Sequence, residues 1–216
     1  MASRTKNAKK NIVSGVISKV ISLILPFLTR TCIIHLIGST YLGLNSLFTS
    51  ILQILSLAEL GFGEAMVFSM YKPLAEHDTK KVRAILALYR KIYRIIGLVV
   101  FTVGIIILPF LEYLIQGGYP EDINVQFLYL VYLFNTVISY WLFAYKGSLL
   151  SANQQLSVTN NINTVVQVLM SFIQIILIIA FRNYYFYVIA IPVFTIIRNV
   201  TINYYSKKLY PEYYCK

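Results

Sequence analysis

The chain has 216 residues, 58% of them hydrophobic and only 12% charged, with a mean hydropathy of +0.69. Soluble domains carry about 25% charged residues, so this composition excludes a disordered chain and argues against a water-soluble globule. Lys and Arg number 19 against 8 Asp and Glu, a net charge of +11, which in a membrane chain marks cytoplasmic loops before it marks nucleic acid.

Six apolar runs long enough to cross a bilayer follow one another, given that a spanning helix needs about 20 mostly apolar residues. They are Ile12–Ile37, Tyr41–Tyr71, Tyr89–Ile115, Ile123–Leu150, Val158–Phe181 and Tyr184–Tyr205. The expected architecture is therefore an all-α integral membrane bundle of six helices over residues 12–205. Short tails flank it at 1–11 and 206–216. The first run is too long for a signal peptide and lacks a small-residue cleavage site. Gly38-Ser39-Thr40, the Lys72–Leu88 loop with Pro73, the Gln116-Gly117-Gly118-Tyr119-Pro120-Glu121-Asp122 turn, Ser151–Ser157 and Arg182-Asn183 connect the runs.

Charge sets the orientation. With the N-terminus inside, the inside segments and adjoining helix turns hold fifteen of the 19 basic residues. These are Arg4, Lys6, Lys9, Lys10, Lys72, Lys80, Lys81, Arg83, Arg90, Lys91, Arg94, Lys146, Lys207, Lys208 and Lys216. The outside segments hold only Arg182. This places both termini in the cytoplasm and the chain in the cytoplasmic membrane. The basic loops face anionic lipid, and no nucleic-acid partner is needed to explain the charge. Tyrosines at the two ends of the sixth run, Tyr184, Tyr185 and Tyr187 outside and Tyr204, Tyr205, Tyr210, Tyr213 and Tyr214 inside, suit the headgroup level.

Catalytic ingredients are scarce. Cys32 and Cys215 form no CxxC, His35 and His77 are isolated, and Asp78 and Asp122 are the only aspartates. Neither a metal site nor a cofactor is expected, and the chain is not expected to be an enzyme.

Polar residues inside the runs are the informative signal. Asn160, Asn163, Thr164, Gln167, Ser171 and Gln174 fall within about 60° of Gln167 at 100° per residue. Ser46, Thr49, Gln53 and Ser56 share a side of the second run, and Asn135, Ser139 and Lys146 a side of the fourth. Lys19 and Arg30 return to one face of the first within about 20°, with Gly15, Ser22 and Pro26. A charge at the bilayer centre costs ~2.5–3.5 kcal/mol on insertion scales. Two readings are open: the pair lines a shared cavity, or each snorkels to its own end. Arg198 poses the same choice. Glu59 and Glu64, beside Gly61 and Gly63, would either pair with a cation or carry a coupling proton. Amides and hydroxyls bond sugar hydroxyls and cations attract phosphate, so a glycan on a lipid pyrophosphate suits the set. Gluing of helices by polar contacts, about 0.6 kcal/mol each, is the alternative.

The stretch Arg30–Asp78 carries the Arg30-to-Gly38 spacing, Tyr41-Leu42-Gly43-Leu44, Ala58-Glu59-Leu60-Gly61-Phe62-Gly63 and Tyr71-Lys72-Pro73-Leu74-Ala75. It resembles the bacterial polysaccharide transporter family, flippases for lipid-linked oligosaccharides within the superfamily that also holds multidrug exporters and the lipid II flippase. The resemblance implies one six-helix lobe of a two-lobe transporter, with a basic central cavity walled partly by the first two spans. It implies a polyprenyl pyrophosphate glycan as cargo, Arg30 as the residue contacting its phosphate, Lys19 and Arg198 as weaker assignments, and a second lobe or a homodimer as partner. Gln53, Asn163, Gln167 and Gln174 complete the expected cavity set. Other readings are a drug exporter, for which span one lacks the acidic residue, a membrane enzyme on lipid-linked sugars, and a truncated fragment.

Overall fold

The computed structural model describes residues 2–59, 61–115, 118–120 and 122–214, with side chains from residue 7 onward except at 58. Leu60, the turn residues Gln116 and Gly117, Glu121, Cys215 and Lys216 lie outside the described residues, as do the side chains of Arg4 and Lys6. The described chain is almost wholly helical, with no strand among the described residues. In a bilayer that is the economical solution, since helices satisfy their backbone groups internally.

Helix α1 runs Ala2–Leu36, so the basic tail is a helical extension of the first apolar run. The second run divides into α2 (Thr40–Leu55), a 3-10 turn (Ser56–Glu59) and α3 (Phe62–Ala75). Gly61, at φ 87°, provides the left-handed residue between them, a conformation glycine adopts without a Cβ penalty. Helix α4 (Thr79–Ile107) begins at Asp78, whose carboxylate accepts from Lys81 N at 3.0 Å. It continues through Leu108–Phe110 into α5 (Leu111–Leu114). Helix α6 (Val125–Trp141) is capped by Asn124, which accepts from Phe127 N at 2.9 Å. Its end at Phe143, φ 59°, turns the chain by 45° into α7 (Ala144–Ala152). Helices α8 (Leu156–Phe181) and α9 (Tyr184–Leu209) meet at Arg182 and Asn183, the latter accepting from Tyr185 N at 2.9 Å.

Four stretches are long and apolar enough to cross a membrane: Asn7–Leu36, Thr79–Leu114, Leu156–Phe181 and Tyr184–Leu209. The bent pair α6 and α7 makes a fifth if it counts as one span. A count of six spans is not reached on length and composition, because the second run is broken at Ser56–Gly61 and neither half alone reaches the length a span requires.

Helix α8 is the spine. It packs on α1 at one side and α9 at the other, α6 bridges α9 and α4, α2 leans on α6, and α3 packs on α4 and α7. Close approach of α4 to α6 rests on Gly97 and Gly104, where a Cβ would collide with Trp141 and Leu133. Small residues serve helix contacts in this way in membranes. Phe48, Tyr129, Leu133, Met66 and Met70 fill the main core. Large apolar side chains such as Phe27, Phe68, Phe172 and Tyr113 point outward, the arrangement of a lipid-facing surface.

Candidate functional site

Helix geometry gathers polar groups from four elements around a cavity of about 260 Å³. Glu59 reaches it from the 3-10 turn closing α2, Ser139 from α6, Thr159 and Asn163 from α8, and Arg198 and Asn199 from α9. Tyr140, Phe143 and Gly147 complete the wall at the α6–α7 bend. The break in the second run has a local consequence here. A straight helix would carry Glu59 along its own axis, whereas the tighter turn before Gly61 releases it beside α6 and α9.

The wall is only partly satisfied from within. Arg198 Nε donates to Asn199 Oδ1 at 3.3 Å, and Asn199 Nδ2 donates to the Ser139 carbonyl at 3.4 Å. Asn163 Oδ1 and Thr159 Oγ1 are buried and find no partner. Leaving such a group unmade costs about 1–3 kcal/mol, a cost that a water or a ligand hydroxyl would remove. Glu59 and Arg198 border the same space, yet no ion pair within 4.0 Å joins them among the described residues. Tyr93 and Tyr140 stand within electrostatic reach of the Glu59 carboxylate. The cavity thus offers a carboxylate, a guanidinium, amides and hydroxyls to one occupant.

Of the residues expected to line a cavity, Asn163 and Arg198 border this one, and Glu59, expected to pair with a cation or carry a coupling proton, borders it too. Gln174 does not join them: it is buried and donates to the Tyr187 carbonyl at 3.0 Å, in a sealed contact between α8 and α9. Ser171, three residues earlier, is also buried, and Gln167 is half-buried. Lys19, Arg30, Gln53 and Glu64 are exposed on the outer faces of α1, α2 and α3. Arg30 is close enough to act electrostatically on the Tyr187 hydroxyl. Thr159 and Asn199 enter the site without having been singled out. Thr159 stands four residues before Asn163 and therefore on the same α8 face, a signal that was available in the spacing.

Two further polar devices are structural. Asn11 fastens α1 to the α7–α8 turn, donating to the Gln154 carbonyl at 2.9 Å and accepting from Ser157 N at 2.8 Å. Buried Lys146 bonds Asn203 Oδ1 and lies 4.7 Å from the Phe143 ring and 4.5 Å from the Tyr214 ring, a cation-π clasp. Tyr214 in turn shares a 2.7 Å hydrogen bond with Ser206, and Arg83 donates to the Glu212 carbonyl, so the C-terminal segment is tied to α4 and α9. Burial pushes the Tyr214 hydroxyl up to about 12.

Among the described residues no three His, Cys, Asp or Glu side chains stand together as a metal site. Compared with models of protein families, with curated proteins and with solved structures, the chain matches none.

Proposed function

We propose that the chain is one lobe of a transporter that moves a lipid-linked oligosaccharide across the cytoplasmic membrane, contributing six crossings with both termini in the cytoplasm. The observation that carries this reading is the 260 Å³ cavity, in which Asn163 Oδ1 and Thr159 Oγ1 lack partners beside Arg198 and Glu59. Orphan amide and hydroxyl groups answer sugar hydroxyls, and a guanidinium answers phosphate oxygens with paired N–H donors. Exposed Lys19 and Arg30 on α1 extend cationic character beyond the cavity. The resemblance of Arg30–Asp78 to the polysaccharide flippases names the same cargo. No bond is made or broken in such a process, so no catalytic residue and no cofactor is assigned. Rocking of this lobe against a second one would expose the cargo to each side in turn.

The mechanism asks only that cargo groups replace the missing partners. A sugar hydroxyl donates to Asn163 Oδ1 and exchanges a hydrogen bond with Thr159, while Arg198 draws the anionic end. Lipid tails stay in the bilayer against the exposed apolar faces.

The test reconstitutes purified protein in liposomes holding a fluorescent polyprenyl-pyrophosphate oligosaccharide and follows its arrival in the opposite leaflet with an added glycosidase. Arg198→Gln is expected to slow arrival about tenfold or more, the effect of one lost hydrogen bond to a charged group, and Asn163→Leu about threefold to tenfold, the effect of a neutral one. Unchanged arrival in both variants overturns the reading.

A further inference from the structure

The outer face of α1 has a pattern that its packing leaves unused. Ile12, Val16, Lys19, Leu23, Pro26 and Arg30 alternate steps of four and three, the seam of a helix that packs lengthwise on another. Ile12 is 67% exposed, Val16 59% and Leu23 66%, and α1 finds its main neighbour, α8, on a different side. Lys19 interrupts the seam and has no ion-pair partner among the described residues.

A groove of about 880 Å³ lies between α3, α7 and the start of α8. Ala65, Phe68 and Tyr71 give it an apolar bank, and Glu64 places a carboxylate in it. Glu64 is exposed and likewise without an ion-pair partner among the described residues. The two surfaces share one end of the molecule. Asn11 holds α1 to Gln154 and Ser157, and Ser151 and Leu156, on either side of that same turn, floor the groove. Glu64 borders the groove together with Ser151 and Leu156, and Lys19 lies eight residues, about 12 Å of helix, beyond Asn11.

We infer that two copies of this chain associate through these surfaces. The α1 seam of each copy lies in the α3–α7 groove of the other, and Lys19 of one copy meets Glu64 of the second. A two-fold axis along the membrane normal makes both contacts at once, as isologous interfaces require. Opposite charges are the complementarity that selects the partner, because neither is paired within its own copy among the described residues. The pairing deepens the transport reading, since two facing copies would enclose a passage. The association is measured without cargo, so its failure leaves the single-chain cavity untouched.

The experiment counts copies by single-molecule photobleaching of labelled protein at low density in liposomes. Wild type is expected to bleach in two steps, and Lys19→Glu or Glu64→Lys alone in one. Co-reconstituting Lys19→Glu in one colour with Glu64→Lys in another is expected to restore two-colour coincidence, because each contact between unlike copies again joins opposite charges. Single-step bleaching of wild type, two-step bleaching of both single variants, or no coincidence in the mixture overturns the inference.

Discussion

At the scale of single residues, charge placement outside the bilayer is open to a direct check. Asp78 begins α4 by accepting from Lys81 N at 3.0 Å, and Lys81 Nζ stands 3.3 Å from its carboxylate. The Lys81 backbone N–H, followed by its ammonium, holds the Asp78 carboxyl below the ordinary 3.8. A carboxyl depressed in the folded state contributes stability above its unfolded pKa and loses it as pH falls through the folded one. The start of α4 is therefore expected to fray only below about pH 4, seen as faster amide exchange at Lys80–Val82. Asp78→Ala should show that faster exchange at neutral pH and no further acid dependence. Other residue-scale features were legible in advance to different degrees. The α8 stripe was readable from 100° spacing, and Asn163 follows from it. Gln174 belongs to the same stripe, yet neighbour packing three turns along makes it a structural donor to Tyr187. Angular position alone does not tell a wet face from a dry one.

Helices are where hydropathy gave the least guidance. The breaks at Ser56–Gly61 and at Phe143 both fall inside apolar runs, and a residue average does not register a turn. Gly61 carried a signal for the first. Phe143, a bulky residue in the left-handed region, carried none, and it is held there by its neighbours. Helix contacts were equally silent, since nothing in the α4 sequence distinguishes Gly97 from Gly104. Their surroundings differ. At Gly104 an added methyl meets Leu133, which is 1% exposed and has nowhere to move. At Gly97 it meets Trp141, 48% exposed, whose indole can swing away at the cost of its 3.2 Å bond to the Arg94 carbonyl. Gly104→Ala is expected to destabilise by up to about 2 kcal/mol, overpacking of about 1–3 kcal/mol less about 1 kcal/mol of regained helix propensity. Gly97→Ala should come out near zero, since alanine regains about 1 kcal/mol of helix propensity. Thermal unfolding of the two variants in detergent checks the order, and equal losses would contradict it.

For the molecule as a whole, the open matter is whether α2 and α3 together cross the membrane. Neither is long enough alone, but Thr40–Ala75 follows a helical path of about 50 Å, against a hydrocarbon core of about 30 Å. The distribution of basic residues favours crossing. If the broken pair turned back without crossing, Lys72, Lys80, Lys81, Arg83, Arg90, Lys91 and Arg94 would lie outside and Arg182 inside, the reverse of the preference for cationic loops in the cytoplasm. Crossing keeps that cluster with the N-terminal basic run. The expected outcome follows for single cysteines at position 77, between α3 and α4, and at position 183, between α8 and α9, in a chain whose Cys32 and Cys215 are replaced by Ser. A membrane-impermeant maleimide added to intact cells should label position 183 at once and position 77 only after permeabilisation. Labelling in the opposite order would make the α2–α3 element a re-entrant hairpin. Glu59 would then be carried by a loop dipping in from one side, and the cavity it shares with Arg198 would open to that side alone.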